Sequence, residues 1–230
     1  MKDLRLAIIN YLNCLPFIYG IKHNNYFSDS LIYYDTPVNC AKKLTNNDVD
    51  LAIIPVMAIP NVSNPYIVSD YCISCKSNVD SVMLLSNVSI YDIKKIYLDA
   101  HSITSHYLLY ILAKYWWKIN PMYFKSNILR KGRYENNSAV LAIGNKVFSM
   151  VNNFTYKYDL GYEWYKFTQK PFVFACWVSN KKLPEKIINN LNESFSYGVN
   201  NIEKAIKKYL ELIPSNVDSY NYLTNNIHYE

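Results

Sequence analysis

The segment Asn10-Tyr11-Leu12-Asn13-Cys14-Leu15-Pro16-Phe17 sets two asparagines and a proline between an apolar run, Leu4 to Ile9, and a short apolar stretch that reads as a helix. Uncharged amides at such a strand-to-helix turn can orient a ligand by hydrogen bonding, and in open α/β sheets ligands bind at the carboxyl ends of strands. The same residues also suit an ordinary turn. A second segment, Leu98-Asp99-Ala100-His101-Ser102-Ile103-Thr104-Ser105, ends a strand in a cluster of small hydroxyl residues before a helix. Helix-terminal N–H groups joined by the hydroxyls of Ser102, Thr104 and Ser105 make an anion site. A helix cap needs only one such residue. A third, Ala142-Ile143-Gly144-Asn145-Lys146, again follows a strand, and Gly144 allows close backbone approach to a ligand beside Asn145. Finally, Ser81 enters an apolar strand after Val79-Asp80. Together these residues offer hydrogen bonds and anion binding, without a strong acid or base.

Other chemistries lack their residues. The four histidines (His23, His101, His106 and His228) show no metal-ligand spacing with a carboxylate or cysteine. His101 and His106 lie five apart, which does not align them on one helical face. The P-loop, the dinucleotide glycine fingerprint and the serine-hydrolase elbow are absent. Five cysteines, an odd number, argue against a complete disulfide framework, and Cys72-Ile73-Ser74-Cys75 has no second pair, so it reads as buried strand. The net charge of +6 is spread along the chain with no basic run interleaved with aromatics. Nucleic acid is therefore not an expected partner, whereas an anionic small substrate suits the charge.

The elements that must position these residues alternate. Strands are expected at Leu4 to Ile9, Leu31 to Asp35, Leu51 to Pro55, Tyr66 to Cys75 and Ser81 to Ser86. Further strands are expected ending at Asp99, at Met122 to Lys125, at Val140 to Ile143 and at Phe172 to Ser179. Helices are expected over Val38 to Leu44, capped by Thr36 with Pro37 in the first turn, and over Thr104 to Trp117 and Asp159 to Phe167. A long amphipathic helix opens at Pro184, its apolar beat interrupted near Gly198. Trp116, Trp117 and Trp164 read as core aromatics. The alternation predicts an α/β protein. Two lobes are expected, one of residues 1–86 with 172–230 and one of residues 87–171. No apolar run is long enough to span a bilayer, and the N-terminal residues lack a signal-peptide pattern, which predicts a cytoplasmic protein with no membrane partner.

The segments resemble, in order, the chorismate dehydratases of the futalosine route to menaquinone. The resemblance rests on Tyr11-Leu12-Asn13-Cys14-Leu15-Pro16, Asp50-Leu51-Ala52-Ile53-Ile54-Pro55, Leu98-Asp99 with Ser102, Thr104 and Ser105, and Ile143-Gly144-Asn145-Lys146. It continues through Asp159-Leu160-Gly161-Tyr162-Glu163-Trp164 and Pro171-Phe172-Val173-Phe174-Ala175-Cys176-Trp177. It implies a two-lobed fold of the type II periplasmic-binding-protein kind with a ligand cleft between lobes. The implied reaction converts chorismate, a small dicarboxylate, to 3-[(1-carboxyvinyl)oxy]benzoate and water, without cofactor or metal. Asn13 matches the family's active-site asparagine. Ser81, Ser102, Thr104 and Ser105 match positions expected to hold the substrate's carboxylates, with Gly144 and Asn145 beside them.

Two positions depart from the family pattern. Ile103 stands where many members have arginine, and Val56 where many have serine. The alternatives are an enzyme like 1,4-dihydroxy-6-naphthoate synthase, a non-catalytic receptor for anionic solutes on the same scaffold, or a degenerate structural homologue. The oligomeric state stays open between monomer and homodimer.

Overall fold

A computed structural model describes residues 4–126 and 136–230. In chain order the strands are β1 (Arg5–Ile9), β2 (Leu31–Asp35), β3 (Leu51–Pro55), β4 (Tyr66–Cys75), β5 (Val82–Ser86), β6 (Lys95–Asp99), β7 (Met122–Ser126), β8 (Ser138–Ile143), β9 (Tyr156–Asp159) and β10 (Phe172–Ser179). The helices that matter here are α1 (Leu15–His23), α2 (Pro37–Thr45), α3 (Thr104–Ile111), α4 (Lys146–Met150), α5 (Leu160–Thr168), α6 (Glu185–Val199) and α7 (Ile202–Lys208). Among the described residues no helix is long and apolar enough to cross a membrane.

The chain divides into two compact units. The first comprises the chain up to Ser74 with Val173–Ile213 and Asp218–Glu230; the second comprises Cys75–Phe172 with Pro214–Val217. This differs from the expected boundary after residue 86. β5 forms an antiparallel ladder with β8 on one side and with β9 on the other, so residues 75–86 go with the second unit. Residues 214–217 do so as well, and Asn216 donates to the Phe148 carbonyl at 2.5 Å. An apolar pentapeptide such as Val82–Ser86 states that it is a strand, not which sheet it joins.

The sheet of the first unit runs β2-β1-β3-β10-β4. β1 pairs parallel with β2 and β3, and β10 runs antiparallel to β3. β3 is buried along its whole length, as its continuous apolar sequence requires, and β2 is a largely exposed edge. α1 is buried from Leu15 through Ile21, and α6 buries Ile187, Leu191, Ser194, Phe195 and Gly198 at helical spacing. The two helices meet through glycine. A Cβ at Gly198 would stand 1.8 Å from the Pro16 carbonyl oxygen, and one at Gly20 would stand 1.8 Å from that of Ser194. Gly198 is thus a point of backbone contact, and the helical break falls after it, between α6 and α7. Backbone approach brings Phe17 to 4.8 Å from Phe195, which stacks on Trp177 at 4.6 Å, a continuous aromatic core.

Asp50 ties the far end of this sheet. Its carboxylate accepts from the Arg5 backbone N–H, Nε and Nη2 at 3.1–3.2 Å and from Lys181 Nζ at 2.7 Å. Burial alone would raise the Asp50 pKa, but the Arg5 and Lys181 hydrogen bonds hold it well below the usual carboxylate range. Thr36, expected to cap α2, bonds no backbone N–H with its side chain. Asp35 Oδ1 instead accepts from the Thr36 backbone at 2.8 Å.

The sheet of the second unit runs β7-β6-β8-β5-β9. β6 pairs parallel with β7 and β8. Leu85, Tyr97, Val140, Ala142, Val147 and Phe154 form its core cluster. The helix expected over Thr104 to Trp117 is α-helical only to Ile111 and closes in a widened π turn over Leu112–Trp116. There the indole N–H groups of Trp116 and Trp117 both donate to buried Glu163, at 2.8 and 3.2 Å, so these aromatics are anchored by polar bonds as well as by packing.

Two outcomes follow from the first unit. Gly198→Ala forces α6 away from Pro16 and is expected to destabilise the protein by about 1–3 kcal/mol in urea unfolding. A group whose folded pKa is depressed stabilises above its unfolded pKa. The Asp50 contribution is therefore expected in full at neutral pH and lost as pH falls below about 4. The Asp50→Asn variant should show a flatter stability profile across that acidic range.

Candidate functional site

In the first unit the site begins where β1 ends. The Asn10 N–H donates to the Asp35 carbonyl at 2.9 Å, which holds the exit of β1 beside that of β2. Leu12–Cys14 then form one 3-10 turn, closed by Cys14 N–H donating to Tyr11 O at 3.0 Å, and α1 starts at once with Pro16 in its first turn. Asn13 is half-buried; its side-chain Oδ1 is buried with no hydrogen-bond partner, and its backbone carbonyl accepts from Tyr229 Oη at 3.0 Å. A buried polar atom without a partner is uncommon in folded proteins. Burial pushes the neighbouring Cys14 thiol well above its ordinary pKa, so it stays protonated and is a poor nucleophile.

In the second unit three segments meet at one end of three adjacent strands. β6 and β8 are parallel, so their carboxyl ends, Asp99 and Ile143, lie together. The antiparallel β5 begins beside them, with Val82 opposite Ile143. The expected residues Ser81, Ser102, Thr104, Ser105, Gly144 and Asn145 therefore all fall at this end of one sheet, whereas Asn13 belongs to the first unit. The Gly144 N–H donates to the Ser81 carbonyl at 2.8 Å, with Gly144 in the left-handed region at φ 65° that glycine tolerates.

Ser81 is buried and its backbone is set by a strained turn. Asp80 has φ 58°, and Ser81 N–H donates to Val79 O at 2.7 Å, a three-residue γ-turn. Asp159 holds this turn: Oδ2 accepts from the N–H groups of Val79 and Asp80 at 3.0 and 2.7 Å, while Oδ1 caps α5 through Tyr162 N–H at 3.0 Å. Burial pushes the Asp159 carboxyl up to about 6 despite those three donors, whose bonds oppose the rise. Left-handed conformations at residues other than glycine persist only where surrounding bonds impose them, and they cluster at functional sites.

Ser102, Thr104 and Ser105 are buried at the start of α3. They do not play one role. Ser102, one residue before the N-cap Ile103, accepts through Oγ from the Ser105 N–H at 3.1 Å and so satisfies one donor of the first turn, which holds Thr104 and Ser105. Asn145 precedes α4 and makes no capping bond there.

The sequence reading missed the residue that joins these segments. Asp99 is fully buried; its Oδ2 lies 2.5 Å from Lys146 Nζ and 3.4 Å from the Ile143 nitrogen, and its Oδ1 accepts from the His101 N–H at 3.0 Å. Its backbone carbonyl accepts from Ser102 N–H and from His106 Nε2. Burial lowers the His106 pKa, so the ring is neutral and Nε2 carries the donated proton. A buried carboxylate would repel an anionic ligand, and Lys146 supplies the compensating charge. A signal was present, since Asp99 and Lys146 both sit directly beside the polar strand ends. Tyr229 carried no such signal, because 216 residues separate it from Asn13.

The two α/β units and their sheet orders belong to the fold of type II periplasmic binding proteins. A protein from Archaeoglobus fulgidus has a similar structure, with a TM-score of 0.72 at 14% identity over 96% of this chain and 85% of that one. The periplasmic aliphatic sulphonate binding protein of Escherichia coli is similar with a TM-score of 0.62 at 13% identity, over 100% of this chain and 86% of that one. The alkanesulfonate-binding protein of Xanthomonas axonopodis pv. citri, bound to MOPS, gives the same values. More specifically, the menaquinone biosynthesis family matches residues 4–229, and the chain belongs to that family.

Lys146→Met should leave the Asp99 charge buried and unpaired, lowering stability by about 3 kcal/mol in chemical denaturation. The double variant Asp99→Asn/Lys146→Met is expected to recover much of that loss. Equal loss in both variants would show that the ion pair is not what holds the two strand ends.

Proposed function

We propose that the protein is a chorismate dehydratase acting in menaquinone biosynthesis. The observation that carries the reading is Asn13, whose buried side-chain oxygen has no partner at the carboxyl end of β1, in a chain of the menaquinone biosynthesis family. The motif containing Asn13 is also one of those through which the sequence resembles the dehydratases.

Chorismate carries two carboxylates on and beside a cyclohexadiene ring that is one dehydration short of aromatic. The proton on the ring carbon bearing the enolpyruvyl ether is lost, and hydroxide leaves from the adjacent carbon. The electron pair released completes the aromatic ring of 3-[(1-carboxyvinyl)oxy]benzoate. Because aromatisation drives the reaction, the protein has mainly to orient the substrate and assist one proton transfer. Ser81, the first turn of α3 and the Gly144-Asn145 turn suit a carboxylate, through hydroxyls, a carboxamide and the positive end of the helix dipole. Lys146 offsets Asp99 and so keeps that end of the sheet compatible with an anion despite Ile103. Asn13 hydrogen-bonds the reacting region and acts electrostatically. A carboxamide takes no proton at neutral pH, and on this reading the substrate's own enolpyruvyl carboxylate, held against the ring hydrogen, acts as the base, with a bound water as the alternative.

Incubating the purified protein with chorismate should yield a product lighter by one water, identified by mass. Binding of chorismate without that product would mark a solute receptor. Asn13→Ala should reduce kcat by at least about a hundredfold with little change in melting temperature, on the scale of losing one preorganised donor. Ser105→Ala should mainly raise KM, and a loss confined to kcat would contradict its role in holding a carboxylate.

A further inference from the structure

The segment Ile227–Tyr229 reaches the Asn13 turn from the far end of the sequence. His228 bridges to Ser74, where β4 nears its end: Ser74 N–H donates to His228 O at 2.9 Å, and His228 N–H donates back to Ser74 O at 2.8 Å. The Ser74 hydroxyl adds a bond to His228 O at 2.7 Å, and Cys72 N–H donates to Tyr229 O at 2.7 Å. These bonds fix the backbone of the segment along the edge of β4. The Tyr229 ring is buried and meets Phe17 edge-on at 5.3 Å, within the aromatic core that also holds Trp177 and Phe195.

The Tyr229 hydroxyl donates to the backbone carbonyl of Asn13, at 3.0 Å. That carbonyl lies in the 3-10 turn, immediately before α1, so its direction sets the rotation of the Asn13 peptide. The side-chain Oδ1 of the same residue is the atom left buried without a partner. One polar atom of Asn13 is thus anchored to the protein while another is left for a ligand. Burial pushes the Tyr229 phenol well above its ordinary pKa, so it keeps the proton it donates across the usable pH range.

We propose that Tyr229 is a positioning residue for Asn13: its hydroxyl pins the Asn13 carbonyl and thereby aims the carboxamide. This rests on the reading of Asn13 as the group nearest the chemistry. The role is that of a support whose own rotamer is locked by packing, which functional groups need to hold their geometry.

Tyr229→Phe removes the hydroxyl and keeps the ring. With chorismate as substrate it should lower kcat about fivefold to tenfold, the scale of one hydrogen bond, with KM changed by less than about twofold. The double variant Asn13→Ala/Tyr229→Phe should be no slower than Asn13→Ala, because Tyr229 acts through Asn13. Ser74→Ala loses one bond to the same segment and keeps the phenol, and it should leave kcat unchanged. Unchanged turnover in Tyr229→Phe, or an equal fall in Ser74→Ala, would overturn the proposal. Amide hydrogen exchange provides a readout independent of turnover. In Tyr229→Phe, exchange should accelerate at Cys14 and its neighbours in the turn and not across the β4 ladder. If the wild-type protein does not dehydrate chorismate, the functional reading falls, and unchanged exchange at Cys14 would then overturn the positioning role separately.

Discussion

Position 198 has no room for a side chain. The Pro16 carbonyl oxygen occupies the place a Cβ would take, and the Ser194 carbonyl does the same at Gly20. Two helices can approach this closely only where both lack a Cβ, and here the contact is backbone against backbone. The consequences run in both directions along the chain. Inward, Phe17, Phe195 and Trp177 are drawn into one aromatic stack. Outward, the start of α1 packs at Pro16 against Gly198, directly after the short turn that carries Asn13. Tyr229 then closes the turn from the other side. Asn13 is therefore held by backbone contacts and by a buried phenol, with no charge among the groups that hold it.

The second unit solves a different problem. Its polar strand ends are held by buried charges, each with its own set of partners. Asp99 collects Lys146 and the N–H groups of His101 and Ile143, and so joins the end of β6 to the end of β8. Asp159 collects three N–H groups and imposes the strained turn before Ser81. Away from those strand ends, Glu163 on α5 collects two indoles and Lys166 of its own helix. A buried carboxylate is tolerable only with such partners. Asp99 and Asp159, two such carboxylates, shape the hydroxyl-lined end of the sheet.

Much of the secondary structure was legible because each strand carries its own signal. Leu31–Asp35, Leu51–Pro55, Tyr66–Cys75 and Phe172–Ser179 fall where their apolar and β-branched runs put them. β9 is not legible: Tyr-Lys-Tyr-Asp is a largely exposed edge with no apolar run, and its last residue, Asp159, reads as the start of a helix. The interruption near Gly198 was legible, since α6 ends at Val199 and α7 begins at Ile202, whereas the contact of Gly198 with the Pro16 carbonyl left no local signal. Of the polar candidates, the six in the second unit share one sheet end, and the Ser102 hydroxyl accepts from the Ser105 N–H in the first turn of α3.

The sequence by itself determined the α/β class, the order of the strands along the chain, the turns that carry Asn13, Ser81, Ser102–Ser105 and Gly144-Asn145, and the family. All of these are written in local patterns, in apolar periodicity and in short motifs at strand ends. Only the tertiary structure decided that β5 joins the second sheet, that Asp99 and Lys146 join two strand ends, and that Tyr229 reaches Asn13. Those facts depend on hydrogen bonds and contacts between residues far apart in the chain, and a local pattern carries no record of which distant partner it will meet.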